Sequence, residues 1–266
     1  MALEQSEAII LKAFNWSESS RTVHFFTKKF GKLPLMDRGG RSYKSKRGRL
    51  IPFSRIDLTF YHSEKGGPGY LSAVDVIEQF SFDKDGTLGR LAYGSAACEL
   101  ISLLLPEAEP HPELYQYTVT YLSLLDQSDK RFIPACFLTY FLRLLSHLGF
   151  HPTLSHCVAS GSTAETFVAE KSVAQFSPER GGIVSPACQK PGEYYIDLPA
   201  ADLNTMATLQ TASLKEAARI GLGFEHAARM IDLLVKFLSY QADTKRELKS
   251  LEFLEKLKNS QLNGSI

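Results

Sequence analysis

The sequence lacks the motifs that mark most enzymes. It contains no G-x-x-x-x-G-K-[ST] phosphate loop, no G-x-G-x-x-G motif after a strand and no H-E-x-x-H zinc motif. Ser160-Gly161-Ser162 lacks the strand–turn–helix setting of a nucleophile elbow. No set of residues combines a nucleophile, a base and an orienting group, so the sequence assigns a catalytic role to no residue, although scattered catalytic groups stay open as an alternative.

The chain also lacks a strong charge imbalance. With 30 Lys and Arg against 29 Asp and Glu in 266 residues, the net charge is +1, so a polyanion would bind at a local patch. The start MALEQSEAII has no basic region followed by a long apolar run, and we expect no signal peptide. The most apolar segment, Phe132–Phe150, is interrupted by Pro134, Arg143 and His147, which fits a core helix better than a membrane span.

Cysteine is scarce, with four residues at Cys98, Cys136, Cys157 and Cys188. The first two lie in apolar helical segments, where a buried reduced thiol is the ordinary outcome. We therefore expect a protein of the reducing cytoplasm and no disulfide scaffold.

One stretch concentrates positive charge, from Asp37 to Arg55. Against the single acid Asp37 it contains the basic residues Arg38, Arg41, Lys44, Lys46, Arg47, Arg49 and Arg55. Three glycines loosen the backbone, and Tyr43 offers a flat ring. Such an arm suits nucleic acid, because each neutralised phosphate releases counterions and a ring can stack on an exposed base. A solvated loop is the alternative, but strand-like segments on both sides favour nucleic-acid contact.

Residues 1–80 predict a small β-barrel. Ile56–Tyr61 alternates between apolar and polar residues, which is the pattern of a half-buried strand. Further strands are expected at Ala8–Leu11, Thr22–Thr27, Leu33–Met36 and Tyr70–Ile77. About five short strands in about 80 residues suit an oligonucleotide/oligosaccharide-binding (OB) barrel, although a barrel of the SH3 kind gives a similar pattern.

The hydrophobic period becomes helical from about Gly86. Three helices are expected before residue 150, and the third, Pro134–Leu148, is apolar nearly all round, which predicts the interior of a bundle. Residues 150–200 contain five prolines and indicate a loop-and-hairpin module, after which helices resume. We therefore expect an α+β multidomain chain with a barrel at 1–80, a helical domain at 81–149 and 201–259, the module at 150–200 and a flexible tail at 260–266.

The module contains a mirror-like pattern, Cys157-Val-Ala-Ser160 and Ser185-Pro-Ala-Cys188. A four-cysteine zinc ribbon would place a thiolate at each of these four positions, but here the inner pair is serine. A serine hydroxyl stays protonated near neutral pH and is a poor zinc ligand, so two of four bonds are missing. His151 and His156 could complete a Cys2His2 site, but their spacing is irregular. We expect a former ribbon that is held by packing, with no metal bound and with the two cysteines as vestigial positions.

Five segments, taken in order, carry a resemblance to a known family. They are EAIILKAFNWSESSRTVHFFTKKFGKL (Glu7–Leu33), RGGRSYKSKRGRLIPFS (Arg38–Ser54), LGFHPTLSHC (Leu148–Cys157), FSPERGGIVSPAC (Phe176–Cys188) and RELKSLEFL (Arg246–Leu254). Their order and spacing over nearly the whole chain resemble the RecO family, the recombination mediators of bacterial DNA repair.

The resemblance implies an N-terminal OB-fold barrel and a helical domain that carries a zinc-ribbon-like insertion. It implies binding of single- and double-stranded DNA and annealing of complementary strands without catalytic turnover, in the cytoplasm at the nucleoid and without a membrane. It also implies partnership with RecR and with the acidic C-terminal tail of single-stranded DNA-binding protein, to load RecA. Many relatives carry four cysteines where this chain has two, which puts zinc in doubt.

The predicted DNA contacts begin with the basic stretch: Arg38, Arg41, Lys44, Lys46, Arg47 and Arg49, with Arg55 a weaker candidate because it falls at a strand. A second patch is Lys245, Arg246 and Lys249, which a solvated helix face explains equally well. Two other functions fit the same residues. One is an RNA-binding OB-fold protein of translation or RNA processing, and the other is a nuclease with scattered catalytic groups.

Overall fold

A computed structural model of the chain describes residues 2–15, 17–40, 50–62, 69–82, 88–168, 173–242, 248–250 and 252. By their contacts these residues divide into two units, one within Met1–Gln127 and Leu248–Ile266 and one within Ser128–Glu247. The first two helices therefore belong to the unit that contains the N-terminal strands. The predicted domain boundaries lie where the hydrophobic period of the sequence changes, whereas the two units are defined by contacts. The boundaries therefore stay predictions.

The N-terminal strands close into a barrel. They are β1 (Ala2–Asn15), β2 (Arg21–Thr27), β3 (Gly31–Asp37), β4 (Arg55–His62) and β5 (Gly69–Glu78). Their order is β1-β2-β3-β5-β4, with β3 and β5 parallel and the other neighbours, including β1 and β4, antiparallel. A closed barrel of five strands is OB-like, so the predicted α+β class with this N-terminal barrel is confirmed.

Alternate side chains of these strands fill the barrel. On β4, Ile56, Leu58 and Phe60 are fully buried, as the alternation predicts. The other buried members of this core are Ala8, Ile10, Val23, Phe25, Leu33, Leu35, Leu50 and Leu71. Removing this apolar surface from water is what stabilises the barrel.

Two helices, α1 (Gly89–Leu104) and α2 (Pro112–Gln127), pack in the same unit. The ring of Phe26 on β2 lies 5.7 Å from the ring of Tyr115 on α2. The Nζ atom of Lys32 on β3 donates a hydrogen bond of 2.8 Å to the carbonyl oxygen of Ser102 on α1. The helices therefore cover the part of the outer face of β2 and β3 that contains Phe26 and Lys32.

The second unit is built around a buried helix, α3 (Ile133–His147), of whose 15 residues 12 are buried. This confirms the prediction of a helix in the interior of a bundle. Its neighbours are α5 (Ala200–Thr211), α6 (Leu214–Ala217) and α7 (Phe224–Gln241). The hydrophobic pattern does not predict α5, because its buried apolar side chains are few: Leu203, Met206 and Leu209.

A short helix and a small sheet complete the second unit: α4 (Ala164–Val168), β6 (Val173–Ser177), β7 (Gly182–Val184) and β8 (Ile196–Pro199). The strands are antiparallel in the order β7-β6-β8. Phe176, Ile183 and Val184 are buried, as expected for a module that is held by packing. The sheet agrees with the predicted hairpin character, while a zinc-ribbon identity stays a prediction.

Candidate nucleic-acid interface

Most of the predicted DNA contacts lie outside the described residues: Arg41, Lys44, Lys46, Arg47, Arg49, Lys245 and Arg246. The barrel nevertheless fixes where the basic stretch begins and ends. The basic stretch begins at Asp37, the last residue of β3. Leu50, in its C-terminal part, is buried in the barrel core. The N–H of Phe53 then donates to the carbonyl oxygen of Ile10 on β1 at 2.8 Å. Five cations in residues 41–49 are thus connected to the barrel on both sides.

The beginning of the stretch is anchored by a buried ion pair. The carboxylate of Asp37 is fully buried, and its Oδ2 accepts a hydrogen bond of 2.8 Å from Nε of Arg21 on β2. Gly40 packs so closely on this carboxylate that a Cβ there would lie 1.8 Å from Oδ2. A larger residue at position 40 would therefore push the start of the loop away from the barrel.

Arg38 is the one predicted contact of residues 37–40, and its side chain is exposed. Its guanidinium carbon lies 3.9 Å from the centre of the Tyr70 ring on β5, and its Nη2 donates to the Tyr70 hydroxyl at 2.7 Å. The Tyr70 ring and hydroxyl therefore orient the guanidinium and add no charge of their own beside it. Tyr70 is a residue that the sequence analysis missed as part of the interface, because the β3–β5 pairing that brings it here is long-range.

Arg55, at the start of β4, is engaged in a different way. Its Nη2 and Nε both donate to Oε2 of Glu7 on β1, at 2.5 and 2.9 Å. The hydrogen bond from Arg55 is the main reason that the pKa of Glu7 lies below its ordinary value, and Lys28 adds to the effect. Because a carboxylate already compensates its charge, Arg55 is a weaker candidate for a phosphate contact, as the sequence predicts.

Lys249 is the described member of the predicted second patch, and its side chain is exposed. Its backbone N–H and that of Ser250 donate to the two carboxylate oxygens of Glu99 on α1, at 3.1 and 2.9 Å. This contact holds the start of the C-terminal segment against the first unit. It leaves the proposed role of the patch in DNA binding untested.

Comparison with known proteins agrees with this architecture. The model for the N-terminal part of recombination protein O matches residues 1–80, and the model for its C-terminal part matches residues 86–252. The chain belongs to the RecO family. The DNA repair protein RecO of Symbiobacterium thermophilum is 32% identical over 262 residues, which cover 98% of this chain and 100% of that protein.

Other RecO proteins align over most of this chain. The DNA repair protein RecO of Myxococcus xanthus is 30% identical over 252 residues, covering 93% of this chain and 95% of that protein. That of Listeria welshimeri is 28% identical over 257 residues, covering 95% and 94%. The matches span both the barrel and the helical part, so the similarity to RecO is not confined to one domain.

The zinc that the RecO resemblance implies does not fit the residues present. The backbone N–H of Ser185 donates to Sγ of Cys157 at 3.2 Å, and Gly161, at φ +73°, turns the chain after Ser160. Burial of Cys157 opposes ionisation, but hydrogen bonds from the side chains and backbones of Ser160 and Ser185 outweigh it and lower the pKa of this thiol to about 6. The lowered pKa of Cys157 would suit a metal ligand, but serine hydroxyls occupy the two positions where a ribbon would supply further thiolates.

The alternative Cys2His2 site is not formed either. Nδ1 of His151 lies 2.9 Å from the hydroxyl of Ser146, and Nδ1 of His156 lies 3.0 Å from that of Ser155. Across the described ranges, no cluster of three or more His, Cys, Asp or Glu side chains is arranged to bind a metal ion. Cys98 and Cys136 are buried in α1 and α3, where burial raises their thiol pKa values to about 12 and about 11.

Among the residues that the structure describes, we find no helix with the length and apolar character needed to span a membrane.

Proposed function

We propose that this RecO-family protein is a recombination mediator of DNA repair, which binds single- and double-stranded DNA and anneals complementary strands. The observation that carries the proposal is the placement of five cations, residues 41–49, between two anchored points of an OB-like barrel. Family membership adds to it, since the relatives are named DNA repair proteins. The proposed role involves no catalytic turnover and places the protein at the nucleoid.

The mechanism is electrostatic. Two DNA strands carry one negative charge per phosphate and repel each other, so a surface that holds both must lower this cost. Cations on the barrel do so, and contacts to the backbone alone leave the bases available for pairing. Arg38, Arg41, Lys44, Lys46, Arg47 and Arg49 would supply this charge, with Lys245, Arg246 and Lys249 as a second patch.

We further propose protein partners on the basis of the family resemblance. RecR would join the protein on DNA, and the acidic C-terminal tail of single-stranded DNA-binding protein would bind an apolar pocket beside a cation. Together they would help RecA to load on DNA coated with that protein. Annealing of coated strands, with and without RecR, measures this step directly.

The salt dependence of DNA binding tests the central claim. If about four phosphates are contacted on a single strand, a plot of log K for DNA binding against log salt concentration should have a slope of about −3. Replacing Arg41, Lys44, Lys46 and Arg47 together by Ala should weaken binding and bring the slope toward zero. A matched control replaces exposed residues of the second unit, two arginines and two lysines: Arg131, Lys190, Lys215 and Arg219. Equal slopes for both variants would remove the basic stretch from the mechanism.

Two further measurements separate the alternatives. RNA and DNA of equal length should compete about equally or in favour of DNA, whereas a strong preference for RNA would indicate a protein of translation or RNA processing. Incubation of labelled DNA with the protein and Mg²⁺ should leave the DNA intact, whereas cut products would indicate a nuclease.

A further inference from the structure

Among the described residues, the outer face of the barrel is exposed to solvent around Phe14 on β1. The register across β1, β2 and β3 places Lys12 opposite His24 and His24 opposite Pro34, and the next row begins with Phe14 opposite Thr22. The intervening residues Val23, Phe25, Leu33 and Leu35 point into the barrel core. Because side chains alternate along a strand, the two rows lie together on the outer face.

This face displays an aromatic ring to solvent. Phe14 is 53% exposed. On the neighbouring strand β2, by contrast, every side chain that points inward is buried. The Phe14 ring meets the His24 ring edge-on, with centres 5.6 Å apart and planes at 84°. This contact orients the Phe14 ring, and because the side chain is more than half exposed, part of the ring stays open to a further contact.

A cation accompanies the ring. Nζ of Lys12 lies 5.2 Å from the centre of the Phe14 ring, one residue row away on the same strand. Burial is the main cause of a lowered pKa at His24, and the positive charge of Lys12 acts in the same direction, which favours the uncharged imidazole. The site therefore combines a flat apolar ring, an imidazole packed against it and one ammonium group.

We propose that Phe14, oriented by His24 and accompanied by Lys12, is a stacking site for one unpaired base of single-stranded DNA. The inference rests on the proposed function and adds a contact to it that is separate from the basic stretch. A base offers a π-face to Phe14 whatever its identity, and the phosphate beside it is the anion that Lys12 complements. In a duplex the faces of the bases are already stacked on one another, so this site distinguishes single strands from duplex DNA.

The test compares the full-length protein with two variants at position 14, using a fluorescein-labelled single strand of about 20 nucleotides and a blunt duplex of the same length. Stacking on one aromatic side chain is worth about fivefold or more in affinity. Phe14→Ala should lose about fivefold or more on the single strand and less than about twofold on the duplex, and Phe14→Tyr should restore single-strand binding. The salt slope of Phe14→Ala should equal that of the wild type, because phenylalanine carries no charge.

A matched control and a direct probe sharpen the result. Tyr240 on α7 is an exposed aromatic of the second unit, at 50% exposure, and Tyr240→Ala should bind both DNAs like the wild type. A single 2-aminopurine in the oligonucleotide reports stacking by a change in its fluorescence, which should be smaller with Phe14→Ala. Equal affinities of wild type and Phe14→Ala for the single strand, or equal losses on single strand and duplex, would overturn the stacking site. A wild-type protein that binds neither DNA would instead overturn the proposed function.

Discussion

The chain contains two small β-structures that are stabilised by different means. The barrel has an apolar interior, and its charged groups lie at its edge and on its outer face. The three-stranded sheet of the second unit has a polar cluster beside it, in which Ser160 and Ser185 donate hydrogen bonds to the buried Cys157. Polar groups at the barrel edge are therefore available for binding, whereas those around Cys157 stabilise the module.

The largest expected effect comes from the barrel core. Phe60 on β4 is fully buried, and its ring packs edge-on against Phe30 at 5.4 Å. Phe60→Ala should lower the free energy of unfolding by about 3–5 kcal/mol, because it leaves a cavity in the closed barrel. Chemical denaturation measures this, with the exposed Phe14→Ala as the matched control, for which we expect less than about 0.5 kcal/mol. Similar losses for both variants would show that the barrel interior is not its source of stability.

A smaller effect is expected from rebuilding the thiolates of the sheet module. The double variant Ser160→Cys/Ser185→Cys gives four cysteines in the C-x2-C spacing, which should bind one zinc ion. At free zinc about 100-fold above its dissociation constant, the ion should raise the free energy of unfolding by about 2.7 kcal/mol. Elemental analysis and the visible spectrum of the cobalt form check the stoichiometry and the tetrahedral geometry.

The controls for the zinc experiment decide what the serines do. The wild type and Ser160→Ala/Ser185→Ala should bind no zinc, and the alanine variant should be less stable because Cys157 loses hydroxyl donors. A wild-type protein that retains one equivalent of zinc after dialysis would contradict the metal-free module. If the double cysteine variant binds no zinc, the side chains at positions 157, 160, 185 and 188 do not come close enough together to coordinate one ion.

Local patterns predict the barrel well and its contacts poorly. The alternation of Ile56, Leu58 and Phe60 is a property of adjacent residues, so it is visible in the sequence. The Arg55–Glu7 pair joins residues 48 positions apart, and only the β1–β4 register brings them together. The same holds for Arg38 on Tyr70, which depends on the short parallel pairing of β3 and β5.

The second unit shows where patterns are insufficient. The all-round apolar character of α3 predicts its burial, but α5 has too few apolar residues to produce a clear period. Serine at positions 160 and 185 predicts a missing metal from chemistry alone. The donation of the Ser185 N–H to Cys157 requires the fold, because the two residues are 28 positions apart.

The smallest expected effects separate the two arginines at the ends of the basic stretch. Arg38→Ala should reduce the magnitude of the single-strand salt slope by about 0.7, the share of one phosphate, and should cost at most about 1 kcal/mol of stability through the lost contacts with Tyr70. Arg55→Ala should leave the slope unchanged and cost about 1 kcal/mol of stability at pH 7, because Glu7 loses its half-buried partner.

The cost of Arg55→Ala should also depend on pH with a defined sign. The pKa of Glu7 is lowered in the folded protein, so the contribution of the pair is fully present above the ordinary glutamate pKa of 4.5 and is lost as pH falls through the lowered folded value. The free energies of unfolding of the wild type and Arg55→Ala should therefore differ at pH 7 and converge in acid, while any difference between the wild type and Arg38→Ala should not follow the titration of Glu7. A slope change in Arg55→Ala as large as that in Arg38→Ala would mean that DNA displaces Glu7 from Arg55, and that both ends of the stretch contact phosphate.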